Sequence, residues 1–145
     1  MCSRCDYPGL LVLSNLAVTP GRMIVLRIIG SSASPLTHQE ICRMANRTHP
    51  MNRVTVYRIL DVLVERGLVE RLSSGERSFR YGLAPNANHP RHAHFYCRSC
   101  GDMECLDPGI VKLDLQSVEK VLPVVVQKVE IRLDGICRNC LKKRE

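Results

Sequence analysis

Two Cys-x-x-Cys pairs, Cys97 with Cys100 and Cys137 with Cys140, constrain this chain more than any other feature. Each pair closes a tight knuckle that can aim two thiolates at one ion, and two knuckles complete a closed tetrahedral site. A single pair would carry little weight. Two pairs, each near a glycine (Gly101, Gly135) and joined by a segment long enough to fold back, predict a structural zinc on Cys97, Cys100, Cys137 and Cys140. The competing reading, four unrelated buried cysteines, does not account for the spacing. His92 and His94 precede the first knuckle as His-x-His. On one face of a strand they are candidate ligands for a second ion, imidazole being the commonest metal ligand.

A chain of 145 residues holds one domain or two small ones, and with 4% aromatic residues and no Trp each half has a modest core. A structural metal is one of the few staples open to such a core. The net charge of +7 suggests an anionic partner without identifying it. Its distribution says more. Residues 1–84 carry eleven Arg, no Lys and six acids; residues 85–145 carry ten basic and eight acidic residues. Four thiolates on a divalent ion would cancel what remains of the second half's charge, so the positive field belongs to the first half. Arg without Lys suits forked contacts to phosphate and guanine. The apolar run Leu10 to Leu13 is too short for a signal-peptide core, and no stretch approaches a membrane span. With thiols paired in knuckles, a reducing cytoplasm is the expected location.

The first half reads as a winged helix-turn-helix. Thr19-Pro20 caps a helix carrying Met23, Val25, Leu26, Ile28 and Ile29, with Gly30 as its expected end. Thr37 and Glu40 form a capping box before Ile41, Met44 and Ala45. Asn52 caps a third helix whose Val56, Ile59, Leu60, Leu63 and Val64 share one face, with Gly67 after it. The opposite face carries Arg53, Thr55, Tyr57 and Arg58, the chemistry of a recognition helix whose N-terminal end enters a major groove. Leu68 to Leu72 and Phe79 to Leu83 alternate as the two strands of a wing, on which Arg71, Arg77 and Arg80 can reach phosphates. Singly, each arginine is a solubilising surface residue; capped helices, wing and charge together predict DNA binding.

Residues 85–90, Pro-Asn-Ala-Asn-His-Pro, have the composition of a hinge between a DNA-binding domain (1–84) and a cysteine-rich domain (91–145). In the second domain His92 to Tyr96, Met103 to Leu106 and Val124 to Leu133 are expected strands, and Ile110 to Leu122 a helix ending near Pro123. The expected fold is therefore α+β: a winged helix, then a three-stranded sheet crossed by a helix. A domain of this size is marginal alone, so zinc and self-association would both help it. A twofold homodimer would also present two recognition helices to a palindromic operator in double-stranded DNA.

Taken together, Thr19-Pro20-Gly21-Arg22, Val54 to Leu60, Glu65 to Val69, the His92 to Gly101 knuckle and Gly135 to Cys140 resemble the ferric uptake regulator superfamily in the expected order along nearly the whole chain. The resemblance implies a dimeric metal-responsive repressor with a structural zinc and a second, regulatory metal site. It also implies that Tyr57 and Arg58 contact DNA and that Arg22 helps on the backbone.

The regulatory site departs from that pattern. Cys105 stands where family members place Glu or Asp, and Pro35 replaces a histidine before the second DNA-binding helix. Gly82 aligns with a carboxylate or thiol of the wing, and Ala93, Lys112 and Val129 stand near the ligand positions of an auxiliary site. The expected regulatory ligands are thus His92, His94 and Cys105. His89 is the nearest candidate to complete the set; Glu70, His38, Cys42 and His49 could also approach. Cys42 reads as a core residue, and His38 and His49 as surface residues. Cys2 and Cys5 form a third Cys-x-x-Cys at an expected frayed terminus.

A thiolate in place of a carboxylate softens the site toward zinc, which points to the zinc uptake regulator branch, with a ferrous-iron or peroxide-responsive regulator as the alternative. The different-class alternative is an iron-cysteine electron-transfer protein, since four thiolates also hold a single iron. An enzyme is not expected: the four-cysteine site leaves no position for water, and His-Glu-x-x-His does not occur. The knuckles also lack the context of a thiol oxidoreductase.

Overall fold

The structure, a computed structural model, describes residues 5–75 and 78–145. The chain forms two compact units, Met1–Arg91 and His92–Glu145. Residues 85–90 lie in the first, where Asn86 and His89 pair in an isolated bridge and the Asn86 amide approaches Cys5 Sγ at 3.7 Å.

The first unit contains α1 (Tyr7–Leu13), α2 (Pro20–Ser31), α3 (His38–Ala45) and α4 (Arg53–Glu65), then the antiparallel hairpin of β1 (Val69–Ser73) and β2 (Phe79–Leu83). Side chains start each helix. The Thr19 hydroxyl accepts from the Arg22 amide at 3.3 Å, and the Asn52 carboxamide from the Thr55 amide at 2.8 Å. At α3 the Thr37 hydroxyl accepts from the Glu40 amide while Glu40 accepts from the Thr37 amide, the reciprocal box expected there. Leaving α4, Gly67 adopts φ +72°, a left-handed conformation that favours glycine. Val56, Leu60 and Leu63 of α4 are fully buried against Val25, Leu26 and Ile41, and Val69 and Leu83 of the hairpin close the core. Leu36, just before α3, exchanges backbone hydrogen bonds with Tyr81 of β2 and so ties the wing to the helices.

Helix α1 was not expected. Seven residues are too few for a 3.6-residue period to stand out, and the terminus had the composition of a frayed end. Its signal was Asp6, which caps the helix by accepting from the Gly9 amide, with Pro8 in the first turn. Leu11 is fully buried in the core. Gly30 also differs from expectation: α2 continues through it to Ser31, and the residue is buried with the Tyr7 ring against its bare Cα.

The second unit has a three-stranded sheet in the order β4-β3-β5: β3 (His94–Cys97) lies between antiparallel β4 (Met103–Cys105) and parallel β5 (Arg132–Gly135). Two short helices, α5 (Leu115–Val121) and α6 (Arg138–Lys142), complete it. The helix expected over Ile110–Leu122 is confined to α5, because Asp114 caps there by accepting from the Ser117 amide. The strand expected over Val124–Leu133 pairs only from Arg132 onward, where the segment comes alongside β3. Upstream, Val125 remains 84% exposed, and Val121 of α5 80%.

The turn between α3 and α4 depends on Asn46. Its side-chain amide donates to the Cys42 carbonyl at 2.7 Å and to the Met51 carbonyl at 3.0 Å; its Oδ1 accepts from the Met51 amide at 3.0 Å. Asn46→Ala removes all three bonds. It is expected to destabilise the first unit by about 1–2 kcal/mol, since each solvent-accessible bond contributes modestly. Urea denaturation followed by circular dichroism would measure this as a lowered midpoint at unchanged slope.

Candidate functional site

Strand pairing builds the four-cysteine cluster. Strands β3 and β5 are parallel, and Cys97 lies opposite Gly135 at their common end. Past that edge the Gly101 amide bonds back to the Cys97 carbonyl at 2.9 Å, and Gly101 takes φ +79°. The Arg98 amide donates to the Gly135 carbonyl at 2.8 Å, joining the two turns. Cys137 then stands at the residue before α6, without a side-chain capping bond, and Cys140 follows within the helix. The ligand atoms of Cys97, Cys100, Cys137 and Cys140 all lie within 4.8 Å of one another. Cys100 Sγ and Cys137 Sγ are 3.9 Å apart. Tetrahedral Zn–S bonds of about 2.3 Å require sulfur–sulfur edges near ~3.8 Å, so the arrangement fits such an ion.

Backbone amides prepare the cluster for charge. The Cys137 amide lies 3.3 Å from Cys97 Sγ. Amides of Cys100, Cys137 and Ser99, with the Cys100 side chain, hold the Cys97 thiol down at about 6 against the opposing effect of burial. Cys100 moves the other way, to about 12: the Asp102 amide favours its thiolate, but burial and the Cys97, Asp102 and Cys140 side chains outweigh it. Four thiolates so close repel one another, and a divalent cation relieves that repulsion.

The second cluster is His92, His94 and Cys105, whose ligand atoms also lie within 4.8 Å of one another. The register explains it. His94 of β3 is directly opposite Cys105 of β4, so both side chains leave the same face, and His92 is two residues earlier. The imidazole centroids are 4.6 Å apart and tilted by 55°. His94 is buried, His92 half-buried and Cys105 exposed. Alternation along β3 sends His94 and Cys97 to opposite faces of the sheet, so the two clusters share no ligand. His89 belongs to the other unit, half-buried, with its backbone paired to Asn86.

In the first unit, Arg53, Thr55, Tyr57 and Arg58 are all exposed on the N-terminal turns of α4. Arg22 is half-buried, and its guanidinium donates to the Ala17 carbonyl at 2.9 Å. On the wing, Arg71 lies 4.4 Å over the Phe79 ring. Arg77 lies outside the described residues, as does Cys2.

Two expectations are corrected. Arg80 does not line the outer wing: its guanidinium donates to the Pro35 carbonyl at 3.2 Å and lies 3.7 Å from Glu40, with 14% of its side chain exposed. Its position on β2 turns it toward α3, and the carboxylate and carbonyl there hold it. His38 is not a surface residue but 7% exposed, with its ring stacked on Tyr57 at 3.4 Å. Cys42 packs against the core one turn along α3 from it. A tertiary contact of that kind leaves no local sequence signal.

A family-wide comparison matches residues 14–133 to the ferric uptake regulator family. The chain belongs to this family. Over 132 residues it is 28% identical to the peroxide operon regulator of Bacillus subtilis (strain 168), spanning 90% of this chain and 88% of that protein. It is 22% identical over 129 residues to the ferric uptake regulation protein of the same organism, spanning 88% and 87%. Among solved structures, the Helicobacter pylori ferric uptake regulator superposes with a TM-score of 0.71 at 20% identity, covering 90% of this chain and 86% of that one. A zinc uptake regulator complexed with zinc and DNA superposes with a TM-score of 0.64 at 22% identity, covering 94% and 91%. Ferric uptake regulators are metal-responsive, DNA-binding transcription regulators and not enzymes, built from an N-terminal DNA-binding domain and a C-terminal dimerisation domain. Among the described residues, no helix of this member is long and apolar enough to cross a membrane.

Removal of one knuckle thiolate tests the first cluster. Cys137→Ser is expected to abolish tight metal retention and to melt the second unit, because metal-binding energy in such a site is folding energy. Metal analysis after gel filtration and thermal circular dichroism would read both effects. A variant that stays folded and metal-loaded contradicts a structural role.

Proposed function

We propose that this chain is a homodimeric, zinc-sensing repressor of metal-uptake genes that reads a palindromic operator through α4. Cys97, Cys100, Cys137 and Cys140 hold a structural zinc. His92, His94 and Cys105 bind the sensed ion, with His89 as the further ligand. Arg53, Thr55, Tyr57 and Arg58 face the DNA, and Arg22 and Arg77 assist on the backbone. The protein works in the cytoplasm, where thiols stay reduced.

The observation that carries the zinc assignment is the thiol of Cys105 within reach of both imidazoles. Two nitrogens and a sulfur suit zinc, whereas ferrous iron and manganese favour added carboxylate oxygen. A bound cation would supply charge and a fixed ligand geometry there; the chain supplies the strand register that presents the three ligands together. Because His89 precedes His92 by only three residues, its engagement would draw in the segment 85–90. The metal biases that equilibrium only by its preference for the engaged form. The homodimer is supported by the apolar residues left in water on the second unit, Ile110, Val121, Leu122 and Val125. The competing reading, ferrous-iron regulation, draws on the relatives named for ferric uptake.

Operator binding at buffered free zinc separates these readings. Cys105→Ala is expected to raise the zinc concentration for half-maximal binding by at least about tenfold, since even indirect disturbance of a metal ligand costs that much. An unchanged zinc response, or activation of the wild type by iron alone, rejects zinc sensing.

Tyr57→Ala and Arg58→Ala test the reading surface. Each lost base contact is expected to cost about 1–3 kcal/mol of sequence discrimination. Arg77→Ala should instead weaken binding to all sequences and lower the salt slope by about one. Fluorescence anisotropy at several salt concentrations reads both.

A further inference from the structure

Tyr57 is 46% exposed near the start of α4, yet its ring is not loose. The His38 imidazole lies flat against it, with centroids 3.4 Å apart and planes within 8°. His38 is itself held from three sides. It is the first residue of α3, inside the Thr37–Glu40 capping box, which fixes the direction in which its side chain leaves the helix. Its Nε2 lies 3.3 Å from the carbonyl oxygen of Arg53, in the first turn of α4. A carbonyl only accepts, so Nε2 carries the proton in this bond. One turn along α3, Cys42 Sγ sits 3.4 Å from Nε2 and 3.8 Å from Nδ1, which leaves Nδ1 as the acceptor for the thiol.

Charge agrees with that geometry. Burial lowers the proton affinity of His38, opposed by the bond to the Arg53 carbonyl and reinforced by the Arg53 guanidinium. Burial also raises the Cys42 thiol, partly offset by the charge of Arg53. Both groups are therefore neutral near pH 7, and the platform beneath Tyr57 is a neutral aromatic face fixed to both helices.

We propose that His38 is a positioning residue for DNA recognition: its ring holds Tyr57 in one orientation before DNA arrives. An exposed tyrosine otherwise samples several rotamers, and binding must then bear the cost of ordering it. A buried histidine filling space between α3 and α4 would stabilise the unit alike whatever DNA is offered. A positioning histidine acts through Tyr57 and therefore affects the preferred sequence selectively. The proposal rests on the reading that Tyr57 contacts bases.

The test uses full-length, metal-loaded protein and two DNA probes: a duplex selected by the wild type from a random library, and a scrambled duplex of equal composition. His38→Ala is expected to weaken binding to the selected duplex roughly two- to tenfold, the range associated with one aromatic pair, and to leave the scrambled duplex unaffected. His38→Phe, which keeps a ring, should recover most of the affinity. His38→Gln, which keeps a donor for Arg53 without a ring, should not; both retain side-chain bulk if the alanine variant fails to fold. In a Tyr57→Ala background, His38→Ala should cause no further loss. Equal weakening on both duplexes, full activity of His38→Gln, or an undiminished effect of His38→Ala without Tyr57 overturns the positioning role. If Tyr57→Ala itself preserves discrimination between the duplexes, the base-reading role of Tyr57 falls, and the positioning role with it.

Discussion

Four sulfurs gather at the common end of β3 and β5, and on the proposed reading the second unit depends on that junction. Parallel strands cannot be joined by a tight turn, and the segment between these two includes an α5 whose residues are half-buried or exposed. The sheet has three short strands and few large apolar side chains beneath it. A cation shared by Cys97, Cys100, Cys137 and Cys140 would tie positions about forty residues apart in sequence. It would also fix the β3–β5 register, and with it the strand that presents His94. The amides around Cys97 anticipate that charge: a thiolate is favoured there before any cation is considered.

The first unit is built differently. Its stability comes from a continuous apolar core, fully buried at Leu11, Val25, Leu26, Ile41, Val56, Leu60 and Leu63. Polar contacts set its details. Asn46 fixes the turn between α3 and α4, Arg80 joins the wing to α3, and His38 bridges the starts of α3 and α4. One half therefore resists unfolding through buried area, and the other is poised to do so through coordination. Their responses to chelators and to denaturants should accordingly diverge.

Legibility in the sequence followed the range of each interaction. The caps at Thr19, Thr37 and Asn52, the buried stripe of α4 and the Cys-x-x-Cys knuckles are local patterns, and the structure has each of those caps and that stripe, and gathers the knuckle thiols. The grouping of His92, His94 and Cys105 was expected from the family resemblance, and strand alternation put only the two imidazoles on one face; the register that sets His94 opposite Cys105 came with the structure. Contacts made across the fold were opaque. Arg80 has the composition of a wing arginine, and only the register that turns it toward Glu40 shows otherwise. The stack of His38 on Tyr57 depends on two helices meeting at one distance. The strand expected over Val124–Leu133 was overestimated because, among the described residues, its apolar alternation meets a neighbouring strand only from Arg132 onward: Val125 alternates but stays in water.

β3 spans His94 to Cys97, so two candidate centres sit at opposite ends and on opposite faces of one four-residue strand. On the proposed reading, that layout imposes an order of filling. The strand that shapes the sensing ligands exists only once the sulfur junction has closed, so the first ion a nascent chain acquires is spent on becoming a protein and conveys nothing about supply. Only the second ion is a message. A cell too poor in metal to complete the junction would thus lose the gauge itself, whereas milder scarcity would register as an intact gauge reading empty.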